Sequence, residues 1–346
     1  MSSDTRSEER ERLHSAGQPL EEPAAGRIRE RGLLVIIATE RPLLLIVLIA
    51  VLVGVMAIIA PDTFLRPANA AVVLLDTAQT GILACGMMLL MIAGMFDLSI
   101  GGILAFSGIM AGLAVKELGF SPLPAFLVGC AWGTLLGGVN GFLVTRFKIN
   151  ALIATLATLS VYRGGLQLVS GAGVTNIGNN FTVFGQTQIL GIYSPFWFMV
   201  VILLVFAFLV GRTRYFRQAY YIGGNARAAK LSGINVDRTV FSFFLIMGFL
   251  SGLAGALLAS RLNTAVVLAG QGVELKVITA VVLGGASLAG GVGTIFGAFL
   301  GVLLMALLQN AMIIAHISPF WQLIVVGIVL LISVGLDQFA RIRLRS

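Results

Sequence analysis

Three charged side chains interrupt otherwise apolar runs in this 346-residue sequence: Asp76, Asp97 and Arg163. A carboxylate held in such surroundings could bind a coupling proton or sodium ion, pair with a cation, or cap a helix. Gln79, Thr80, Thr155, Thr158, Tyr162 and Gln167 lie near Asp76 or Arg163 in the sequence, and amides and hydroxyls of this kind could line a path for a polar solute. Nucleophilic hydrolysis fits poorly, because neither histidine, His14 or His316, falls inside an apolar run where it could serve a serine or acid partner. Cys85 and Cys130 sit far apart in apolar runs without metal-ligand or disulfide clustering, and read as packing residues. No G-x-x-x-x-G-K-[ST] occurs, so the chain has no P-loop for ATP phosphates.

The elements that must position these residues follow from composition. The sequence is 58% hydrophobic and 11% charged, with a mean hydropathy of +0.99, far from a soluble domain. The expected fold is an all-α polytopic membrane protein. Cutting the apolar runs at charges, prolines and polar-glycine clusters predicts about ten transmembrane helices: 42–60, 71–94, 98–116, 122–144, 151–170, 194–211, 239–260, 275–289, 293–314 and 319–336. The 42 glycines suit close helix contact in lipid. Placing the N-terminus inside puts 18 of the 23 Lys and Arg residues on the cytoplasmic side, which predicts both termini there. The formal charge of +8 is accounted for by the membrane, with no nucleic acid needed.

Two segments resemble each other loosely, "MIAGMFDLSIGGILAFSGIMAG" and "VLGGASLAGGVGTIFGAFLG". Each ends an apolar helix, breaks at small and polar residues, and starts a glycine-rich helix from the inner side. In the first, Asp97 is placed to accept hydrogen bonds from the free N–H groups of the following helix, at the membrane interface. Ser99, Gly101 and Gly102 then let that helix start close to a neighbour. Asp97 is read as a cap at a moving junction in preference to a solute ligand. Asp76 and Arg163 fall at matching depth, which predicts either a buried ion pair fixing the packing or, together with Gln79, the lining of a solute pathway.

The longest charged segment between spans is "GRTRYFRQAYYIGGNARAAKLSGINVDRT", Gly211 to Thr239. Gly223 and Gly224 predict a turn, Asn225 an N-cap, "ARAAKLS" a short helix and Gly233 its left-handed end, with Asp237 capping the next span. Spacing alone leaves open whether this helix lies on lipid headgroups or docks a soluble partner.

The sequence resembles the permease subunits of bacterial ABC importers for ribose and related monosaccharides, a group within the branched-chain amino acid/ribose permease superfamily. The resemblance is carried in order by "DLSIGG" (Asp97 to Gly102), "INALIATLATLSVYRG" (Ile149 to Gly164), "GGNARAAKLSGINV" (Gly223 to Val236) and "AVVLGGASLAGGVGTIFGAFLG" (Ala280 to Gly301). It implies a non-catalytic transport subunit in the bacterial inner membrane, importing a monosaccharide or similar small polar solute. An ion-coupled secondary carrier is the alternative. Implied partners are an ABC ATPase subunit, which binds the ATP, a periplasmic or extracellular sugar-binding protein, and a second permease chain, identical or a sister. The chain itself would carry no cofactor. By position, Gly224, Asn225, Ala228, Ala229, Leu231, Ser232 and Gly233 inherit the role of the element that sits in a groove of the ATPase. The organisation this gives is a disordered cytoplasmic tail over 1–32, a transmembrane permease domain over 33–337 with its coupling loop at 212–238, and a cytoplasmic tail over 338–346.

Overall fold

The computed structural model describes residues 41–345, and the tail expected over 1–32 lies outside them. The described residues form fourteen α-helices: α1 (Arg41–Ile59), α2 (Pro61–Phe64), α3 (Pro67–Ile92), α4 (Ile100–Lys116), α5 (Pro122–Arg146), α6 (Ala151–Ser170), α7 (Val183–Gln186), α8 (Ser194–Arg212), α9 (Arg214–Gly224), α10 (Ala226–Leu231), α11 (Val236–Leu262), α12 (Val273–Leu283), α13 (Ile295–Ile314) and α14 (Pro319–Arg345). Each of the ten expected spans corresponds to one of them. Helix α14 runs on through most of the segment expected as the C-terminal tail.

Seven helices, α1, α3, α5, α6, α8, α11 and α13, are long and apolar enough to cross a membrane, while α4 and the apolar part of α14 are shorter. Helix α12 is shorter still, because it stops at Leu283 where the sequence pattern continues to 289. Gly285, at φ 96°, takes the left-handed position there, and the N–H groups of Gly285 and Ala286 turn back to Val282 and Val281. Eleven residues span only about 16 Å, half of a bilayer core.

Helices α3 and α11 form the centre, with 78% and 72% of their apolar windows buried, whereas α1 at 11% is peripheral. Their packing uses the glycines. Gly129, Gly133, Gly137 and Gly141 recur every fourth residue on one face of α5, with Gly133 and Gly137 against Gly248 and Gly252 of α11. A Cβ on Gly133 would lie 2.5 Å from the Gly252 Cα, and one on Gly137 2.7 Å from the Gly248 Cα, so the helices meet backbone to backbone. Small residues at four-residue spacing do this in lipid because close approach maximises dispersion contact. Cys130 lies in this seam and Cys85 in α3; both are buried and free.

The basic residues Arg146, Lys148 and those from Arg212 to Arg238 mark one end of the helix bundle, the basic face. Two short antiparallel ribbons lie at the opposite face. The first joins β1 (Gly173–Thr175) to β4 (Thr264–Val266), and the second joins β2 (Gln188–Ile189) to β3 (Ile192–Tyr193). After β4 the chain dips back between helices, because Gly270 packs on Gly101 near the start of α4. Helix α12 therefore begins inside the bundle.

Candidate functional site

Helix α10 stands on the basic face with both ends closed by its own sequence. The Asn225 Oδ1 accepts the Ala228 N–H at 3.0 Å, satisfying a donor that the first turn leaves free. At the other end Gly233, at φ 85°, donates to the Lys230 carbonyl and Ile234 donates to that of Ala229, both at 3.1 Å, while the Ser232 hydroxyl bonds the Ala228 carbonyl. Helix, cap and terminator lie where spacing places them. Two local expectations change. Gly223 and Gly224 are not a turn but the last residues of α9, the chain breaking direction at Asn225 instead. Asn235, not Asp237, caps α11 by accepting the Arg238 N–H, and Asp237 in the first turn pairs with Lys148 at 2.5 Å on the surface. On α10 itself Leu231 is 86% exposed, and Arg227, Ala228 and Lys230 also face outward, while Ala229 is buried beneath the helix.

Beneath α10 lies a junction of three chain segments that the sequence did not announce. A Cβ on Gly223 would collide with the Ile92 carbonyl oxygen, at the end of α3, and lie 2.5 Å from the Gly291 nitrogen. Gly291 itself donates to the Ile92 carbonyl at 2.8 Å. One on Gly290 would lie 2.9 Å from the Gly223 Cα and 3.0 Å from that of Gly94. The Tyr220 hydroxyl of α9 donates to the Gly293 carbonyl at 2.8 Å. The end of α3, the 284–294 loop and the α9–α10 corner thus meet largely backbone to backbone, with the Tyr220 hydroxyl as a side-chain tie. Helix α3 ends at Gly94, φ 76°, with the same pair of back-turned hydrogen bonds that ends α12 at Gly285. The two loosely similar sequence segments therefore share a construction, and both deliver their glycines to this joint.

Asp97 follows the joint at once, but it is not at an interface. It is fully buried, and its Oδ1 accepts both the Ser99 N–H (2.8 Å) and the Ser99 hydroxyl (2.6 Å). The Asn140 amide of α5 approaches both carboxylate oxygens at 3.3–3.4 Å and donates to the Ser99 Oγ at 2.7 Å. Tyr162 of α6 lies 2.9 Å from the Leu136 carbonyl and 3.0 Å from the Asn140 Oδ1, and Thr155 accepts the Leu98 N–H. Asn140 lies six residues, about 9 Å, before the end of α5, which sets the depth of the cluster. Asp97, expected to accept free N–H groups of the following helix, accepts instead from Ser99, the residue before α4, and none of the N–H groups of α4 bonds to it, while the cluster around it ties three helices together. Asn140, the one amide within α5, was the available sequence signal. Gly101 follows, and a Cβ there would collide with the Gly270 carbonyl oxygen.

The expected pair of Asp76 with Arg163 does not form. Both Asp76 oxygens accept from the Lys276 ammonium of α12 at 2.7 Å, while Arg163 donates to the carbonyls of Val267 and Ala269 at 2.9 and 2.8 Å. The two side chains turn to different partners. Asp76 faces α12, and Arg163 instead reaches the dipping segment after β4, which has four peptide groups before Gly270 to satisfy. Glu274, in the first turn of α12, keeps its Oε2 buried with no hydrogen-bond partner among the described residues. Gln79, one turn beyond Asp76, lines a small cavity with Leu75, Pro195 and Arg261. No group of three or more metal-ligating residues occurs among the described residues.

A multi-helix membrane bundle with a charge pair between two of its helices, broken glycine-rich helices and a capped surface helix defines a transport protein of the permease class. Residues 69–334 match the family described as branched-chain amino acid transport system / permease component, and the chain belongs to that family. It is 43% identical to the ribose import permease protein RbsC of Bacillus subtilis (strain 168), over 83% of this chain and 90% of that one. Identity is 37% to the L-arabinose transport system permease protein AraH of Escherichia coli (strain K12), over 85% of this chain and 90% of the relative. The L-arabinose ABC transporter permease protein AraH of Azospirillum brasilense is also 37% identical, over 87% and 89%. No solved structure matches the chain.

Proposed function

We propose that this chain is the membrane-spanning permease subunit of an ATP-driven importer that receives a monosaccharide, or a related small polar solute, from a binding protein outside the membrane. The observation that carries the reading is α10, a helix closed at both ends that presents Leu231, Ala228 and two cations outward while standing on the ends of the broken helices. Such an element suits the groove of a soluble ATPase, with Gly224, Asn225, Ala228, Leu231, Ser232 and Gly233 at or near the contact and Ala229 seating the helix. The basic face is cytoplasmic on this reading, since short cytoplasmic loops hold the excess of Lys and Arg. A second permease chain completes the pathway in the inner membrane. ATP binding by the partner moves α10, the glycine joint passes the displacement to α3 and the 284–294 loop, and the helices around the pathway change between two packed arrangements.

Two measurements test this. Leu231→Asp should insert and fold normally yet weaken ATPase association by about 10- to 100-fold, because burying one leucine contributes about 1.5–3 kcal/mol. Normal association would remove α10 from the interface. For orientation, a cysteine at Leu190, 87% exposed at the opposite face, should react with an impermeant thiol reagent added to intact cells, and one at Leu231 should not. The reverse pattern would place the basic face outside. An ion-coupled carrier, in contrast, would lose uptake to an uncoupler and keep it with an ATPase-dead partner.

A further inference from the structure

Glu274 is a buried acid to which the arrangement gives no partner. Its Oε2 is enclosed and bonds nothing among the described residues, and a buried polar atom left in that way calls for a reason. What faces the oxygen is another acceptor. A Cβ built on Gly101 of α4 would collide with the Gly270 carbonyl oxygen and lie 2.8 Å from the Glu274 Oε2. The Gly270 carbonyl already accepts the Val273 N–H at 3.3 Å, so the carboxyl oxygen is the one left without a donor. A donor of the right charge stands close. Arg163 of α6 and Glu274 feel each other's charge, although no ion pair joins them among the described residues. Lys276, two residues further along α12, is turned away to Asp76 of α3.

Arg163 is engaged elsewhere. Its Nη1 donates to the Val267 and Ala269 carbonyls and holds the dipping segment after β4 against α6. Both bonds come from one nitrogen of a planar group with five N–H donors, so the rest of the guanidinium is suited to a carboxylate. The segment has the means to move. Gly270 and Gly272 at its inner end both lie in the left-handed region, at φ 65° and 76°, and a Cβ on Gly272 would meet nothing within 4 Å. Val267 directly follows β4, near the opposite face, where water can take up a carbonyl that the guanidinium lets go. Arg163 therefore has two sets of partners within reach, and only one of them satisfies Glu274. Helix α12 connects the two ends of the argument, since Glu274 lies in its first turn and Gly284, the start of the 284–294 loop at the joint, closes its last.

We propose that Arg163 is a two-position latch on the dipping segment: in the arrangement described it clasps the Val267 and Ala269 carbonyls, and in the other packed arrangement it releases them and pairs with Glu274. The proposal rests on the permease reading, which supplies the two arrangements, and adds an element near the opposite face that answers to the joint.

The test is thiol labelling of the full chain in its assembled transporter, with Cys85 and Cys130 replaced by alanine and a reporter introduced by Val267→Cys. Val267 is only 8% exposed while the clasp holds. A thiol reacts as the thiolate and so needs water, and labelling by a water-soluble maleimide should differ in rate by about tenfold or more between nucleotide-free transporter and transporter trapped with ATP and vanadate. Glu274→Gln removes the charge that the released latch pairs with. Both states should then label at the slow rate, within about twofold of each other, and uptake should fall about tenfold at unchanged KM, the effect of losing one charge-assisted hydrogen bond from one arrangement. The same variant should unfold at a higher temperature, because an amide can donate to the Gly270 carbonyl where the acid oxygen meets only an acceptor. Arg163→Met removes the clasp and should label at the fast rate in both states. Equal labelling of the parent with and without trapped nucleotide would overturn the latch, and so would a Glu274→Gln variant that keeps the difference. A packing role for Glu274 predicts a lowered unfolding temperature with uptake per folded transporter unchanged, and a solute ligand predicts a raised KM with the labelling difference kept; either result counts against the proposal. Should Arg163→Met fail to fold, Glu274→Gln decides alone. Labelling is done only on transporter that hydrolyses ATP, so it bears on the latch, while the Leu231→Asp measurement bears on the permease reading.

Discussion

Gly223→Ala should leave an inserted permease that still binds its ATPase but imports solute at least fivefold more slowly, while Gly224→Ala, one residue on and beside the ATPase contact, should keep uptake coupled to whatever hydrolysis its partner carries out. The contrast follows from what each added methyl would meet. At Gly223 it meets backbone on two sides, the Ile92 carbonyl and the Gly291 nitrogen, neither of which can rotate away; at Gly224 there is open space. Overpacking of this kind typically costs about 1–3 kcal/mol, which is a factor of about 5–150 in the balance between two arrangements of a joint. The contact surface of α10 is untouched, so ATP hydrolysis should continue and run uncoupled from uptake. Uptake and hydrolysis are measured together in proteoliposomes. Normal uptake by the Gly223 variant, or equal uncoupling in both, would mean that the joint does not transmit the movement.

The contrast between neighbouring glycines also shows what a sequence exposes and what it hides. Spans are legible because hydrocarbon sets the length and composition of a helix residue by residue, and ten apolar runs became ten helices. The closure of α10 is legible for a similar reason. An N-cap, a strong helix former and a left-handed glycine each act within four residues, so Asn225 and Gly233 can be read without their surroundings. Azimuth is not local in this way. Asp76 and Arg163 are expected at matching depth, yet which way each side chain points depends on how α3 and α6 are rotated, and that is decided by packing against α12 and the dipping segment. Lys276 was visible only as a charge near a helix entrance. The early end of α12 was hidden for another reason: the glycines after Leu283 keep the hydropathy of a helix while closing it. Glycine was abundant in plain view, but its count separates neither the α5 stripe nor the joint at Gly94, Gly223 and Gly290 from the rest. Close approach is a property of pairs.

The buried cluster at Asp97 should prove the most expensive side-chain contact to break, with a definite order among its members. Asp97→Leu strands two donors at once, the Ser99 N–H and the Ser99 hydroxyl, and takes from the Asn140 amide its carboxylate acceptor, leaving that amide only the Ser99 Oγ, in a site with no exposure to supply replacements. Asn140→Leu removes the partner that reaches across from α5 and leaves the carboxylate with Ser99 alone. Removing a partner from a buried charged hydrogen bond costs about 1.5–3 kcal/mol, so each of these variants should unfold in detergent at a clearly lower temperature. Tyr162→Phe should cost only about 1 kcal/mol, since it deletes one neutral hydrogen bond and leaves the carboxylate's donors in place. The double replacement Asp97→Leu with Asn140→Leu should lose less than the sum of the singles, because the polar groups each leaves stranded are partly those the other removes. Thermal unfolding of the purified permease, read by intrinsic fluorescence, gives all four values. Strict additivity, or a tyrosine variant as damaged as the asparagine one, would show that the cluster does not act as a unit. The consequence reaches beyond stability. Asp97 lies three residues from Gly94, so the cluster fixes the turn that carries the end of α3 from the joint into α4. A permease that keeps its helices but loses this anchor should hydrolyse ATP through its partner with little import, the same phenotype that Gly223→Ala produces from the other side of the joint.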